Sequence, residues 1–145
     1  MAKINQINVG VVGVGWVGGI RATAVKKNPI VDQLYIAEID KKRQQELKAD
    51  LEPDIITDNW MDLVDNTSVD AIVISMTPET KRFPLVMECL EKGKHVFVEK
   101  PLAPTIKEAD EALQLAKKNN LKLTIGYSRR FDPRYAYMNK ALKGG

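Results

Sequence analysis

Ile7-Asn8-Val9-Gly10-Val11-Val12-Gly13-Val14-Gly15-Trp16-Val17-Gly18 is the stretch on which the fold turns. A nearly all-apolar run over residues 7–12 leads into glycines spaced Gly-x-Gly-x-x-Gly, and a helical pattern follows over residues 16–27. A strand apolar on both sides is one buried on both faces, as in a parallel sheet. Gly13 permits a tight turn, and Gly15 removes a side chain that would keep backbone N–H groups from a diphosphate. Gly18 lets the helix pack closely on the strand, and the helix N-terminus adds partial positive charge. Glycines also occur in ordinary turns. The strand before this one and the helix after it favour the dinucleotide-binding reading, in which Val14, Trp16 and Val17 complete the turn.

That fingerprint calls for an acid at the end of the second strand. Glu38 follows Leu34-Tyr35-Ile36-Ala37 and lies twenty residues after Gly18. A carboxylate there accepts hydrogen bonds from both ribose hydroxyls and repels a 2′-phosphate, which favours NAD over NADP. Asp40 is the rival acid, and its place beyond the strand suits it to capping the next helix. Lys41, Lys42 and Arg43 keep NADP open as the alternative cofactor.

The rest of the chain alternates short β-branched runs with longer helical ones, the reading of βαβ units. Strands are expected at 34–38, 55–56, 70–74, 94–98 and 121–125. Helices are expected at 41–50 and 60–65, from Thr77 or Thr80 to residue 92, at 105–119 and at 132–142. Pro84 is tolerated only in a first turn, which favours Thr80 as the cap of its helix. Gly93 suits the left-handed position after that helix. Thr105-Ile106-Lys107-Glu108 has capping-box spacing. The sum is an α/β fold, a doubly wound parallel Rossmann sheet with helices on both faces and strand order 3-2-1-4-5-6.

Composition narrows the function classes. The 145 residues are 44% hydrophobic and 28% charged, with a net charge of +3. The basic residues are dispersed and not interleaved with aromatics, so neither nucleic acid nor a membrane surface is an expected partner. One cysteine, Cys89, excludes an internal disulfide and gives no metal cluster by itself, so no metal site is expected. The chain has no run long enough to span a bilayer and no signal-like N-terminus, which makes the cytoplasm the expected location.

A second motif, Glu99-Lys100-Pro101, follows His95-Val96-Phe97-Val98 and so sets a lysine at the carboxyl end of a strand. In an open parallel sheet that is the edge where ligands bind. With the glycine turn, with Thr77-Pro78, with residues 91–102 and with Gly126-Tyr127-Ser128-Arg129-Arg130-Phe131-Asp132-Pro133, the chain resembles the glucose-fructose oxidoreductase, inositol dehydrogenase and rhizopine catabolism (Gfo/Idh/MocA) family.

The resemblance implies an NAD(P)-dependent oxidoreductase acting on a sugar, cyclitol or related polyol. It implies Lys100 near the nicotinamide and the substrate hydroxyl, assisting proton transfer, and Glu99 near the nicotinamide ribose. Met76, Thr77, Pro78 and Arg129 join the implied cofactor contacts. Partial desolvation at a strand terminus favours the neutral amine that a proton acceptor needs. Three positions depart from the family pattern: Glu79, Arg82 and Ser128 stand where asparagine, histidine and asparagine are frequent.

Members of the family continue into a substrate domain. Residues 1–145 are therefore expected to be the dinucleotide-binding domain alone, binding cofactor but turning over little. The alternative is a stand-alone NAD-binding module that is regulatory or works with a partner chain. His95 is expected to be structural. Tyr135, Tyr137, Met138 and Leu142 on the last helix would form an apolar patch and favour a homo-oligomer.

Overall fold

The structure is a computed structural model that describes residues 6–144. The first five residues, part of the N-terminus read as lacking a leader, and Gly145 lie outside the described residues. Six strands form one parallel sheet: β1 (Ile7–Val12), β2 (Val31–Ala37), β3 (Ile55–Thr57), β4 (Ala71–Ile74), β5 (His95–Val98) and β6 (Leu123–Ile125). Their order is β3-β2-β1-β4-β5-β6, as expected. Between them run α1 (Trp16–Lys26), α2 (Lys41–Leu51), α3 (Met61–Val64), α4 (Arg82–Glu91) and α5 (Ile106–Lys118), with α6 (Pro133–Lys143) last.

Side chains alternate across a strand, so each central strand feeds two cores. Val9 and Val11 of β1, Leu34 and Ile36 of β2 and Val73 of β4 pack with Ala22 of α1 and Leu47 of α2. On the other face Val12, Tyr35, Ala37, Ile72 and Ile74 meet Leu63 of α3, Leu85 and Leu90 of α4, and Ala112 and Ala116 of α5. The double-sided burial accounts for the continuous apolar runs that mark these strands in the sequence.

Local chemistry sets the helix ends. Asp40 caps α2 by accepting from the Arg43 N–H at 2.9 Å. Thr105 and Glu108 form the full capping box at α5, a device worth about 1 kcal/mol. Gly93 takes φ +76° after α4. One cap differs from expectation. Neither Thr77 nor Thr80 caps a helix: residues Glu79–Lys81 form a 3-10 turn, and α4 begins at Arg82 with no side-chain cap. Pro84 still falls in the first turn, where its missing N–H leaves no carbonyl unpaired.

His95 is structural, as expected: its Nδ1 accepts from the Lys122 N–H at 3.0 Å and ties β5 to the start of β6. Along α6, Tyr137, Met138 and Leu142 are exposed. No described helix is long and apolar enough to cross a membrane.

Cys89 is fully buried in α4. Burial, with a smaller contribution from Glu88, pushes its thiol up to about 12. Above the ordinary thiol range the unfolded chain ionises while the folded chain keeps the proton, so this group lowers stability as pH rises towards 12. A buried thiol that keeps its proton predicts no reaction with Ellman's reagent at pH 8 until denaturant is added. Fast labelling of the native chain would contradict that burial.

Candidate functional site

The order of the sheet reverses between β1 and β4, and the open end of that junction carries the glycine turn. Gly13 has φ +79°, and a Cβ there would stand 2.5 Å from the Met76 Cα in the segment leaving β4. A Cβ on Gly18 would lie 2.0 Å from the Gly13 carbonyl oxygen. Both glycines are therefore required by backbone packing. Gly15 differs, since nothing lies within 4 Å of where its Cβ would stand. The space in front of it is part of a groove of about 420 Å³ along the carboxyl edge.

Gly13, Gly15, Trp16, Val17 and Gly18 line one wall of this groove, with Glu38 at its far end and Met76 and Thr77 opposite. Glu38 is held from several sides. Its Oε2 accepts from the Val14 N–H at 2.7 Å and its Oε1 from the Asp40 N–H at 3.0 Å. Its own N–H donates to the Thr57 carbonyl, while buried Gln44 donates to its carbonyl oxygen. Ser75 also lines the groove, and its Oγ is buried with no hydrogen-bond partner among the described residues. An open cradle above Gly15, a helix N-terminus and an unpartnered hydroxyl suit a diphosphate, with a carboxylate placed for ribose hydroxyls.

Two of the expected contacts lie apart from the groove wall. The Val14 side chain is fully buried and its N–H is taken by Glu38, and Pro78 lies outside the lining. Two of the three cations after β2, Lys41 and Arg43, are also committed. Lys41 Nζ sits 2.6 Å from Asp58, and Arg43 donates to the Val14 carbonyl and to Glu46. Asp58 adds a second carboxylate to the groove beside Glu38.

A second cavity of about 630 Å³ adjoins the first at Val17. Glu99, Lys100 and Arg129 line it, as do Ser128 and Arg130. Glu99 is buried, and its Oε1 accepts from Arg21 Nε at 2.9 Å and from Arg21 Nη2. Arg21 also lies over the Phe97 ring at 4.9 Å, so the pair is clamped beneath the cavity floor. Gly126 leaves room for this carboxylate, because a Cβ there would stand 2.9 Å from Glu99 Oε1. Lys100 is exposed, so the described residues do not themselves desolvate it.

The sequence reading did not single out Arg21, Trp60, Asp58 or Ser75. Arg21 had one legible signal, its place three residues after Gly18 on the helix face nearest the sheet edge. Trp60 and Asp58 reach the groove from the β3–α3 turn, which nothing local in the sequence announces. Among the described residues no group of three His, Cys, Asp or Glu side chains is placed to hold a metal.

The glycine geometry separates two substitutions. Gly18→Ala forces the turn apart and is expected to lower the urea midpoint by the equivalent of about 1–3 kcal/mol. Gly15→Ala meets open space and is expected to leave it nearly unchanged. Equal midpoints for the two variants would contradict the packing described.

The match to known proteins follows the same boundaries. Residues 7–127 match the family described as oxidoreductase family, NAD-binding Rossmann fold (GFO_IDH_MocA). The chain is 32% identical over 142 residues to an inositol 2-dehydrogenase of Rubrobacter xylanophilus, covering 97% of this chain and 40% of that protein. It is 29% identical over 139 residues to a myo-inositol 2-dehydrogenase of Thermotoga maritima, covering 96% and 41%. A crystal structure of scyllo-inositol dehydrogenase from Lactobacillus casei with bound NAD(H) and scyllo-inositol superposes with a TM-score of 0.86 at 28% identity, over 97% of this chain and 42% of that one. The chain thus spans about two fifths of the length of these relatives. With the matched region running from the first residue of β1 to just past β6, the chain belongs to the Gfo/Idh/MocA oxidoreductase family, and its sheet is that family's NAD-binding Rossmann fold.

Proposed function

We propose that this chain is the dinucleotide-binding domain of an NAD-dependent polyol dehydrogenase, acting on a cyclitol or a similar sugar alcohol. The observation that carries the reading is the cradle at Gly15 with Glu38 fixed at its far end. The N–H groups at the start of α1 hold the diphosphate, and Ser75, just past β4, supplies a hydroxyl donor. Glu38 turns from the Val14 N–H to the hydroxyls of the adenosine ribose.

Two carboxylates at that end, Glu38 and Asp58, oppose a 2′-phosphate, while Lys41 and Arg43 are already paired. That balance supports NAD over NADP. A bound nicotinamide would supply the acceptor for a hydride leaving the substrate's carbinol carbon. Lys100 presents Nζ at the cavity next to the groove, where it meets the hydroxyl oxygen that loses its proton. Glu99, hydrogen-bonded by Arg21, fixes the floor under the nicotinamide ribose, and Arg129 borders the same cavity.

The polyol class comes from what the relatives act on, two inositol 2-dehydrogenases among them. On its own the chain binds dinucleotide and turns over little, since Lys100 stands exposed and Glu99, the carboxylate beside it, is held by Arg21. The reading carries a cytoplasmic location with it, since free dinucleotide is a cytoplasmic solute. The exposed face of α6 is the proposed seat of self-association, and light scattering at high concentration is expected to show species larger than a monomer. A monomer throughout would rule that out.

Titration with NADH and NADPH, followed by nicotinamide fluorescence, tests the main reading. NADH is expected to bind more tightly, and Glu38→Ala to weaken it about ten- to a hundredfold while removing the preference, as for lost hydrogen bonds to a charged group. Saturable binding of neither dinucleotide would sink the reading.

A further inference from the structure

Arg82 is only 5% exposed, yet no carboxylate among the described residues comes closer to it than a long ion pair. The nearest, Glu79, is 3.7 Å away and largely in solvent. Its guanidinium instead donates through Nε to the Met76 carbonyl and through Nη1 to the Lys100 carbonyl, each at 2.8 Å. Arg82 is also the first residue of α4. A buried cation at a helix N-terminus faces the positive end of the helix dipole and lacks a full counter-charge, so the placement is locally costly.

What it secures is the relation between two loops. β4 and β5 pair in register up to Ile74 and Val98, and the Glu99 N–H still reaches the Ile74 carbonyl. Beyond that point the backbones part. Met76 and Thr77 go to the wall of the first groove, and Lys100 goes to the second cavity. The planar fork of one guanidinium spans the gap and fixes both carbonyls at once, which an amine on a flexible stem does less well.

We propose that Arg82 is the positioning residue for the nicotinamide half of the site: by bridging the Met76 and Lys100 carbonyls it sets Lys100 against the dinucleotide wall. This rests on the dinucleotide reading given above. The adenosine half is built on the glycine turn and Glu38, to which Arg82 makes no hydrogen bond among the described residues. Loss of the bridge is therefore expected to affect nicotinamide binding and to spare the rest of the cofactor.

The test compares NADH with ADP-ribose, which has the adenosine, the diphosphate and a ribose but no nicotinamide, on the full 145-residue chain. Arg82→Met keeps the length and removes every donor, while Arg82→Lys keeps the charge and one donor direction. In Arg82→Met the NADH Kd is expected to rise about tenfold while that of ADP-ribose changes less than about twofold, and bound NADH fluorescence moves towards that of free NADH. Arg82→Lys is expected to fall between, and it carries the same comparison if Arg82→Met does not fold. Equal weakening of both ligands, or of neither, would overturn the proposal, because a merely structural strut gives that pattern. Failure of the unsubstituted chain to bind NADH would instead remove the dinucleotide reading, and the positioning role with it.

Discussion

The close approach of two backbones at the Gly13 turn is the constraint on which the rest of the molecule depends. A Cβ on Gly13 would overlap Met76, and one on Gly18 would overlap the Gly13 carbonyl. Because those atoms are absent, α1 starts directly against the carboxyl ends of β1 and β4. The helix N-terminus then faces the point where the strand order reverses, and the groove opens there. Moving the turn outward by one methyl group would separate the cradle from the loop after β4. Burial of the sheet's two apolar faces supplies the bulk of the stability, but this contact decides where the surface is concave.

Around that contact the chain uses polar groups as ties. Gln44 holds the Glu38 backbone, Arg43 reaches from α2 to the Val14 carbonyl, Arg21 clamps Glu99, and Arg82 joins the Met76 and Lys100 loops. Each tie takes a charged or amide side chain out of water, a step that is unfavourable unless its hydrogen bonds are made. All four make them with groups next to the groove or the second cavity. The polar side chains buried near the edge therefore hold loops, whereas the interior of the sheet has only apolar side chains to pack.

The fold was legible because its signals are local or periodic. Apolar runs gave the central strands, Thr105 with Glu108 marked a helix start, and Gly93 marked a helix end. Errors fell at element ends: β2, expected at 34–38, runs over Val31–Ala37. The turn at Glu79–Lys81 displaced the cap assigned to Thr80, because Pro78 and Pro84 together leave no room for a regular first turn there. The adenosine end of the groove was legible too, as three glycines and an acid at fixed spacing. Asp58 and Trp60 were not, for both reach the site from the β3–α3 turn, whose position depends on long-range packing.

That division has a physical cause and it bears on chemistry. The cradle is made of backbone, so its specification is a matter of which side chains are missing, and absence leaves a compact sequence signature. The Lys100 side of the cleft is made of side chains drawn from α1, α4, the turn after β5 and the turn after β6. No spacing rule connects Arg21 with Glu99, or Arg82 with Lys100, across 78 and 18 residues. A site assembled in this way can change what it accepts without altering the glycine turn. The glycine-turn groove and the Lys100 cavity are thus built separately on one sheet edge, and Val17, which borders both, is where they meet.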